Sequence, residues 1–224
     1  MGKHADSIDS KVLRRIRAHG RGWVFTPSDF LDLGSRSAVA VALMRHERDG
    51  TVRQLGRGLY DYPKRHSALG LLSPTSEAIS HALAGKHATR LQPSGAYAAN
   101  LLGLSEQVPM KVVYLTDGPA RSVQIGNQQI LLKPTTPRNM ATAGRISGLV
   151  IQALRHIGKD ATDESTVKAL RSKLSDEDKA RLLKDIRYAP AWIADIIHEV
   201  ARDRRGQDSF DVGRTSIQAP TTVA

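Results

Sequence analysis

Apolar positions first recur with helical spacing at Ile8, Val12, Leu13 and Ile16, with arginines on the opposite side, and Gly20 closes the run. Trp23-Val24-Phe25 is a continuous apolar run and predicts a short strand. Thr26-Pro27 then supplies a cap and a first-turn proline for a short second helix over Ser28 to Leu33. Gly34 turns into a third helix, where Ser35 is the N-cap and Val39, Ala42, Leu43 and His46 share one face. Asp49-Gly50 ends it. From Thr51 to Leu55 the period falls to two. Gly56-Arg57-Gly58 makes a tight turn, Leu59 to Tyr62 returns as a second strand, and Pro63 stops it. Helix, short strand, helix, helix, hairpin is the element order of a winged helix-turn-helix. His46 falls on the inward face, where a partly buried, hydrogen-bonded histidine is expected rather than a metal ligand.

Lys64 to Gly70 reads as a linker, and Ser73-Pro74 with Glu77 opens a helix to about Ala84. Ala88 to Leu91 is a strand candidate, and Pro93-Ser94-Gly95 leads into a small-residue helix from Ala96 to Leu102. Strands are expected at Lys111 to Leu115, Arg121 to Ile125 and Gln128 to Lys133. Turns at Asp117-Gly118-Pro119 and Gly126-Asn127 separate them, which predicts an antiparallel three-stranded element. From Ala141 the period is helical, with helices over roughly 142–157 and 163–174. Ser175-Asp176-Glu177-Asp178 starts another, to about Ile186, and Pro190 opens a last one with an apolar stripe of Trp192, Ile193, Ile196, Ile197 and Val200. Residues 206–224, rich in Gly, Gln, Ser, Thr and Pro, have the composition of a disordered tail. The expected fold is α+β. A winged helix-turn-helix (1–65) precedes a mixed α/β domain with a small antiparallel sheet (66–160) and a helical C-terminal region (161–205).

Composition narrows the function. The 224 residues contain no cysteine, which removes disulfides, thiolate zinc sites and a cysteine nucleophile together. The polar start MGKHADSIDS has no apolar stretch of a secretion signal, and no apolar run approaches the ~20 residues of a membrane span. A cytoplasmic protein is expected. Net charge is +11, carried by the first two thirds: residues 1–66 hold 13 Lys/Arg against 7 Asp/Glu, and residues 67–159 hold 9 against 3. Such a balance favours polyanions through counterion release. No phosphate-binding loop, dinucleotide fingerprint, H-E-x-x-H or G-x-S-x-G is present, so no enzymatic activity, cofactor or metal is expected.

The candidate chemistry is therefore DNA contact. On the third helix Ser35, Arg36, Ser37, Ala40 and Arg45 lie away from the core face, near Val41 and Met44. Recognition helices present their N-terminal residues to base edges. Arg36 is suited to bidentate contact with guanine, worth ~1–3 kcal/mol of discrimination. Arg57 at the wing tip suits a minor groove or phosphate, and Arg53 suits a phosphate. Lys86, Arg90, Lys111, Arg121, Lys133, Arg138, Arg145 and Arg155 have few acidic neighbours in sequence, and read either as a second nucleic-acid or protein surface or as a dispersed solvated face. His81 and His87 near Glu77 do not share a helical face, so no metal site is expected there.

The stretch Leu91-Gln92-Pro93-Ser94-Gly95-Ala96-Tyr97, continuing through Leu102-Gly103-Leu104-Ser105-Glu106-Gln107-Val108-Pro109 to Val113-Tyr114-Leu115-Thr116-Asp117-Gly118-Pro119, resembles the middle domain of the AbiEi-type antitoxin family. The hairpin around Gly126-Asn127, the helix from Gly148 and the Gly56-Arg57-Gly58-Leu59-Tyr60 wing continue the resemblance over roughly residues 8–160. His46 departs from it, where leucine is expected. The resemblance implies an antitoxin and autorepressor of a type IV toxin–antitoxin operon. Its winged helix would bind operator DNA, and because one small module buries too little surface, paired binding is expected, by a dimer or by two monomers meeting on DNA. The remainder would counteract a nucleotidyltransferase-like toxin, with or without a stable complex. The alternative is a winged-helix regulator whose second domain senses a ligand and has no toxin.

Overall fold

A computed structural model describes residues 7–85 and 90–202. The fold is α+β. The first helix, α1 (Ile8–His19), is capped by Ser7, whose hydroxyl accepts from the Ser10 amide at 3.1 Å, and closes at Gly20. After β1 (Val24–Phe25) comes a 3-10 turn, Pro27–Phe30, where a longer helix to Leu33 was expected. The turn is short because both ends are tied. Asp29 accepts from the Thr26 amide at 2.8 Å, and Arg15 of α1 donates to the Asp29 carbonyl and grips both Asp32 oxygens, each at 2.6 Å. Gly34 then passes so close to Ile8 that a Cβ has no room.

The following helix, α2 (Arg36–Arg48), buries Val39, Ala42, Leu43 and His46. Val39, Ala42 and Leu43 pack on Val12, Ile16, Phe25, Phe30 and Val52. Fully burying each large side chain of this set contributes about 1.5–3 kcal/mol. The hairpin is β2 (Arg53–Gly56) and β3 (Leu59–Asp61), and β3 lies between β1 and β2, antiparallel to both. The expected strand start at Thr51 moves to Arg53 because helix closure uses the preceding residues. Thr51 donates to Asp49 at 2.8 Å and Val52 to the His46 carbonyl at 3.0 Å.

The expected linker contains a small ribbon, β4 (Arg65–His66) with β5 (Gly70–Leu71). Thr75, rather than Ser73, caps α3 (Ser76–Ala84). The strand expected from Ala88 is described only from Leu91: β6 (Leu91–Ser94) runs through Pro93 into α4 (Gly95–Leu101), and Lys86 to Thr89 lie outside the described residues. Proline is accommodated because β6 is an edge strand.

The main sheet differs from the expected antiparallel meander. With β7 (Lys111–Thr116), β8 (Arg121–Ile125) and β9 (Gln128–Pro134), its order is β6-β7-β9-β8, and the central pair β7–β9 is parallel. The Asp117 turn does not fold β8 back beside β7. β8 runs one place further out, and β9 returns through the Gly126-Asn127 hairpin to fill the gap. That puts Val112, Tyr114, Ile130 and Leu132, all buried, side by side.

The helix expected over 142–157 is preceded by a short one, α5 (Pro137–Met140), and begins later as α6 (Ile146–Ile157). Gly144, at φ +75°, interrupts the two. The remaining helices are α7 (Glu164–Lys173), α8 (Asp176–Asp185) and α9 (Ala191–Ala201). One helical core unites α4 and α6 with α7, α8 and α9, so it crosses the boundary expected at residue 160. A second core joins α3 and the main sheet to Val24 and Leu59 of the N-terminal sheet, across the expected boundary at 65. The expected tail at 206–224 lies outside the described residues. Among the described residues no helix is long and apolar enough to cross a membrane.

Candidate nucleic-acid interface

One face of α2 is held by the core, and the opposite face is bare. Ser35 caps the helix by accepting from the Ala38 amide at 3.3 Å and lies 3.1 Å from the Ser37 hydroxyl. Ser35, Arg36, Ser37, Ala40, Val41, Met44 and Arg45 are exposed. The first turn holds no carboxylate. The positive end of the helix dipole and the Arg36 guanidinium therefore add, the electrostatic setting that attracts an anion.

Three contacts fix the helix orientation. The Ile8 side chain fills the hollow at Gly34. Arg45 lies 3.9 Å from Asp9, although it is 65% exposed. His46, 4% exposed, stands between Asp49 at 3.4 Å and Asp9 at 3.6 Å. His46 thus stands between the start of α1 and the C-cap of α2, with its Nε2 buried and without a hydrogen-bond partner.

In the hairpin, Gly58 takes φ +71° and leaves Arg57 exposed at the tip. Neither Arg36 nor Arg57 has a carboxylate within ion-pair distance among the described residues. Arg53, expected as a phosphate contact, differs from them in being paired with a carboxylate of the hairpin itself. Its Nε and one terminal nitrogen bind both Asp61 oxygens at 3.0 and 2.6 Å, and the same nitrogen reaches the Leu72 carbonyl at 2.9 Å. Asp61 is 1% exposed. This guanidinium locks the hairpin to the segment after it, and the hydrogen bond to Asp61 raises its pKa. Asp61 itself was the missed signal: it shares its inward parity in β3 with Leu59, and a buried aspartate requires a cation.

Several basic residues of the middle region are likewise engaged. Arg90 binds Asp117 through side chain and backbone, each at 2.8 Å; Arg145 binds Asp185 at 2.9 Å; Arg155 donates to Asn139 at 2.9 Å. Lys111, Arg121, Lys133 and Arg138 are exposed. Trp192 packs against the helical core, while Arg187 stacks on Tyr188 with 4.9 Å to the ring centre.

Two concave surfaces adjoin these elements. A groove of about 670 Å³ separates the N-terminal turn of α2 and the hairpin tip from the end of α3; Arg36, Gly58 and Arg121 line it. A second, of about 390 Å³, lies against the main sheet and includes Gln92, Tyr97, Tyr114 and Arg145. Burial pushes the Tyr114 hydroxyl up, with Tyr97 adding to it. Among the described residues no group of three or more His, Asp or Glu side chains could hold a metal.

The chain belongs to DUF6088, a family of unknown function that matches residues 11–182. The match takes in both the bare face of α2 and the main sheet, so the two are parts of one family unit. No curated protein matches the sequence.

Proposed function

We propose that residues 8–63 form a winged helix-turn-helix that reads operator DNA, and that the chain is the antitoxin and autorepressor of a type IV toxin–antitoxin operon. The observation that carries the DNA reading is the uncommitted positive edge of α2. Arg36 sits at an uncapped-by-acid helix start, next to exposed Ser37 and Ala40, with Arg57 at the tip of the adjoining hairpin. Arg36 contacts guanine, Ser37 and Ala40 approach the neighbouring bases, and Arg57 enters the minor groove or meets a phosphate. Occupying the promoter is then sufficient for repression, and no catalysis is required. Two modules on repeated half-sites supply genomic specificity, since one small module buries too little surface.

The antitoxin half of the reading rests on the resemblance of residues 91–119 and the following hairpin to AbiEi-type antitoxins. The test has two arms. Fluorescence anisotropy on the duplex upstream of this gene, across a salt series, should give specific binding that Arg36→Ala abolishes. Binding that is weak, equal on scrambled DNA and unchanged in the variant would rule out operator recognition. Co-expression with a nucleotidyltransferase-like protein encoded downstream should restore growth that the latter alone arrests.

The groove beside Gln92, Tyr97 and Tyr114 favours a second reading, a regulator whose second domain senses a small molecule. A compound that raises the thermal midpoint and releases the duplex would support it over the antitoxin.

A further inference from the structure

Cross-strand register places part of the second domain at the edge of the proposed DNA surface. Arg121, Val123 and Ile125 pair with Leu132, Ile130 and Gln128. Alternation therefore puts these three β8 residues on one face of the sheet, the face on which Ile130 and Leu132 are buried. Val123 on that face meets the hairpin directly: a Cβ added to Gly56 would lie 2.9 Å from its Cγ2. The hairpin is thus braced against β8 rather than free in solution. Two residues before Val123 on the same face, Arg121 enters the groove of about 670 Å³ that Arg36 and Gly58 line from the other side.

The carboxylates of that groove are already engaged. Asp32 is held by both terminal nitrogens of Arg15, and Asp29 accepts from the amide and hydroxyl of Thr26. Among the described residues no carboxylate lies within ion-pair distance of Arg121. Two guanidinium groups without a carboxylate in ion-pair distance among the described residues, Arg36 on α2 and Arg121 on β8, thus line one open groove.

We propose that the duplex surface continues past the hairpin onto β8, where Arg121 contacts a backbone phosphate flanking the bases read from α2. The proposal rests on the DNA-binding reading above and adds a contact to it from the second domain. A phosphate contact carries no sequence information, so Arg121 positions the duplex while Arg36 specifies it. Lys133 provides the internal control. It follows Leu132, so alternation turns it to the opposite face of the same sheet, and it carries the same charge.

The experiment is anisotropy with the full chain on the upstream duplex and a scrambled duplex, across a salt series, for wild type, Arg36→Ala, Arg121→Ala, Arg121→Lys and Lys133→Ala. Arg121→Ala is expected to weaken both duplexes by the same factor, roughly five- to ten-fold near ~0.1 M salt, and to make the log–log salt slope shallower by about 1. Arg121→Lys should keep most of the affinity, and Lys133→Ala should bind like wild type. Binding that depends on Arg36 but is unchanged in Arg121→Ala overturns the β8 contact and leaves the DNA reading standing. Equal losses in Arg121→Ala and Lys133→Ala also overturn it, since net charge then accounts for both. Wild type that binds neither duplex removes the DNA reading itself.

Discussion

Residues 1–66 and residues 67–159 each carry a net charge of +6, yet the arginines at the centre of each are used differently. Around α2 and the hairpin tip, Arg36 and Arg57 stand exposed with no carboxylate within ion-pair distance among the described residues. In the second region, Arg90, Arg145 and Arg155 are bound to Asp117, Asp185 and Asn139. Net charge therefore does not locate a polyanion surface. What locates it is where a guanidinium has been left without an internal partner. Neither region is uniform: in the first, Arg15 and Arg53 are spent on Asp32 and Asp61, and in the second Lys111, Arg121, Lys133 and Arg138 are exposed.

The sharpest way to break the comparison is to exchange its terms. Arg53→Ala leaves buried Asp61 without its cation. Removing one partner of a fully buried pair costs 3–5 kcal/mol, and with Arg53 itself 30% exposed the expectation is roughly 2–4 kcal/mol. Urea unfolding reads this as a lowered midpoint. DNA affinity per folded molecule should hold. A variant that stays fully stable but loses DNA would place Arg53 with Arg36 instead.

Arg36→Ala should do the reverse. An exposed residue with no partner changes stability by less than about 0.5 kcal/mol, whereas loss of a guanine contact removes ~1–3 kcal/mol of discrimination. Measured stability and operator-over-scrambled affinity should therefore separate cleanly in this variant. A drop in both would mean that Arg36 supports the fold.

The sequence revealed elements more readily than partners. α1 and α2 were legible because Ile8, Val12 and Ile16, then Val39, Ala42, Leu43 and His46, keep an unbroken helical period that only one surface can bury. The main sheet was legible strand by strand but not in its order. Val112, Tyr114, Ile130 and Leu132 alternate correctly whether β7 lies beside β8 or beside β9, so parity alone cannot choose. The exposed residues of α2 follow from its period, and their exposure was legible too. The commitment of Arg53 and the position of Arg121 were not, since both depend on contacts across a sheet. Only Asp61, a charge at an inward position of a strand, hinted at the first.

A smaller effect tests whether the two regions are mechanically joined. Gly56→Ala places a methyl group 2.9 Å from Val123 Cγ2, which a well-packed contact resists by about 1–2 kcal/mol. Val123→Ala opens that space. In the double variant the Gly56 penalty should shrink, giving a coupling of about 0.5 kcal/mol or more in thermal or urea unfolding. Strict additivity would detach the hairpin from β8, and with it the geometric basis for a shared DNA surface.

The smallest effect concerns the committed charges and is read as pH dependence. Hydrogen bonding from the Arg90 side chain is the largest cause holding Asp117 below its ordinary 3.8, with a further bond from the Arg90 backbone. A carboxylate whose folded pKa is depressed contributes stability that is fully present above the unfolded value and is lost as pH falls through the folded one. Arg90→Gln removes the main cause, so the variant should be slightly less stable than wild type at neutral pH. As pH falls below about 3.8 the two unfolding curves should converge, because wild type loses there what the variant never had. Partial exposure of both side chains keeps the gap small, at the level of an ordinary surface pair. A gap that stays constant down to acid pH would mean that Arg90 acts through its bond to the Met140 carbonyl at 3.1 Å rather than through Asp117. In that case the pairing that distinguishes the second region from α2 would be packing rather than charge neutralisation.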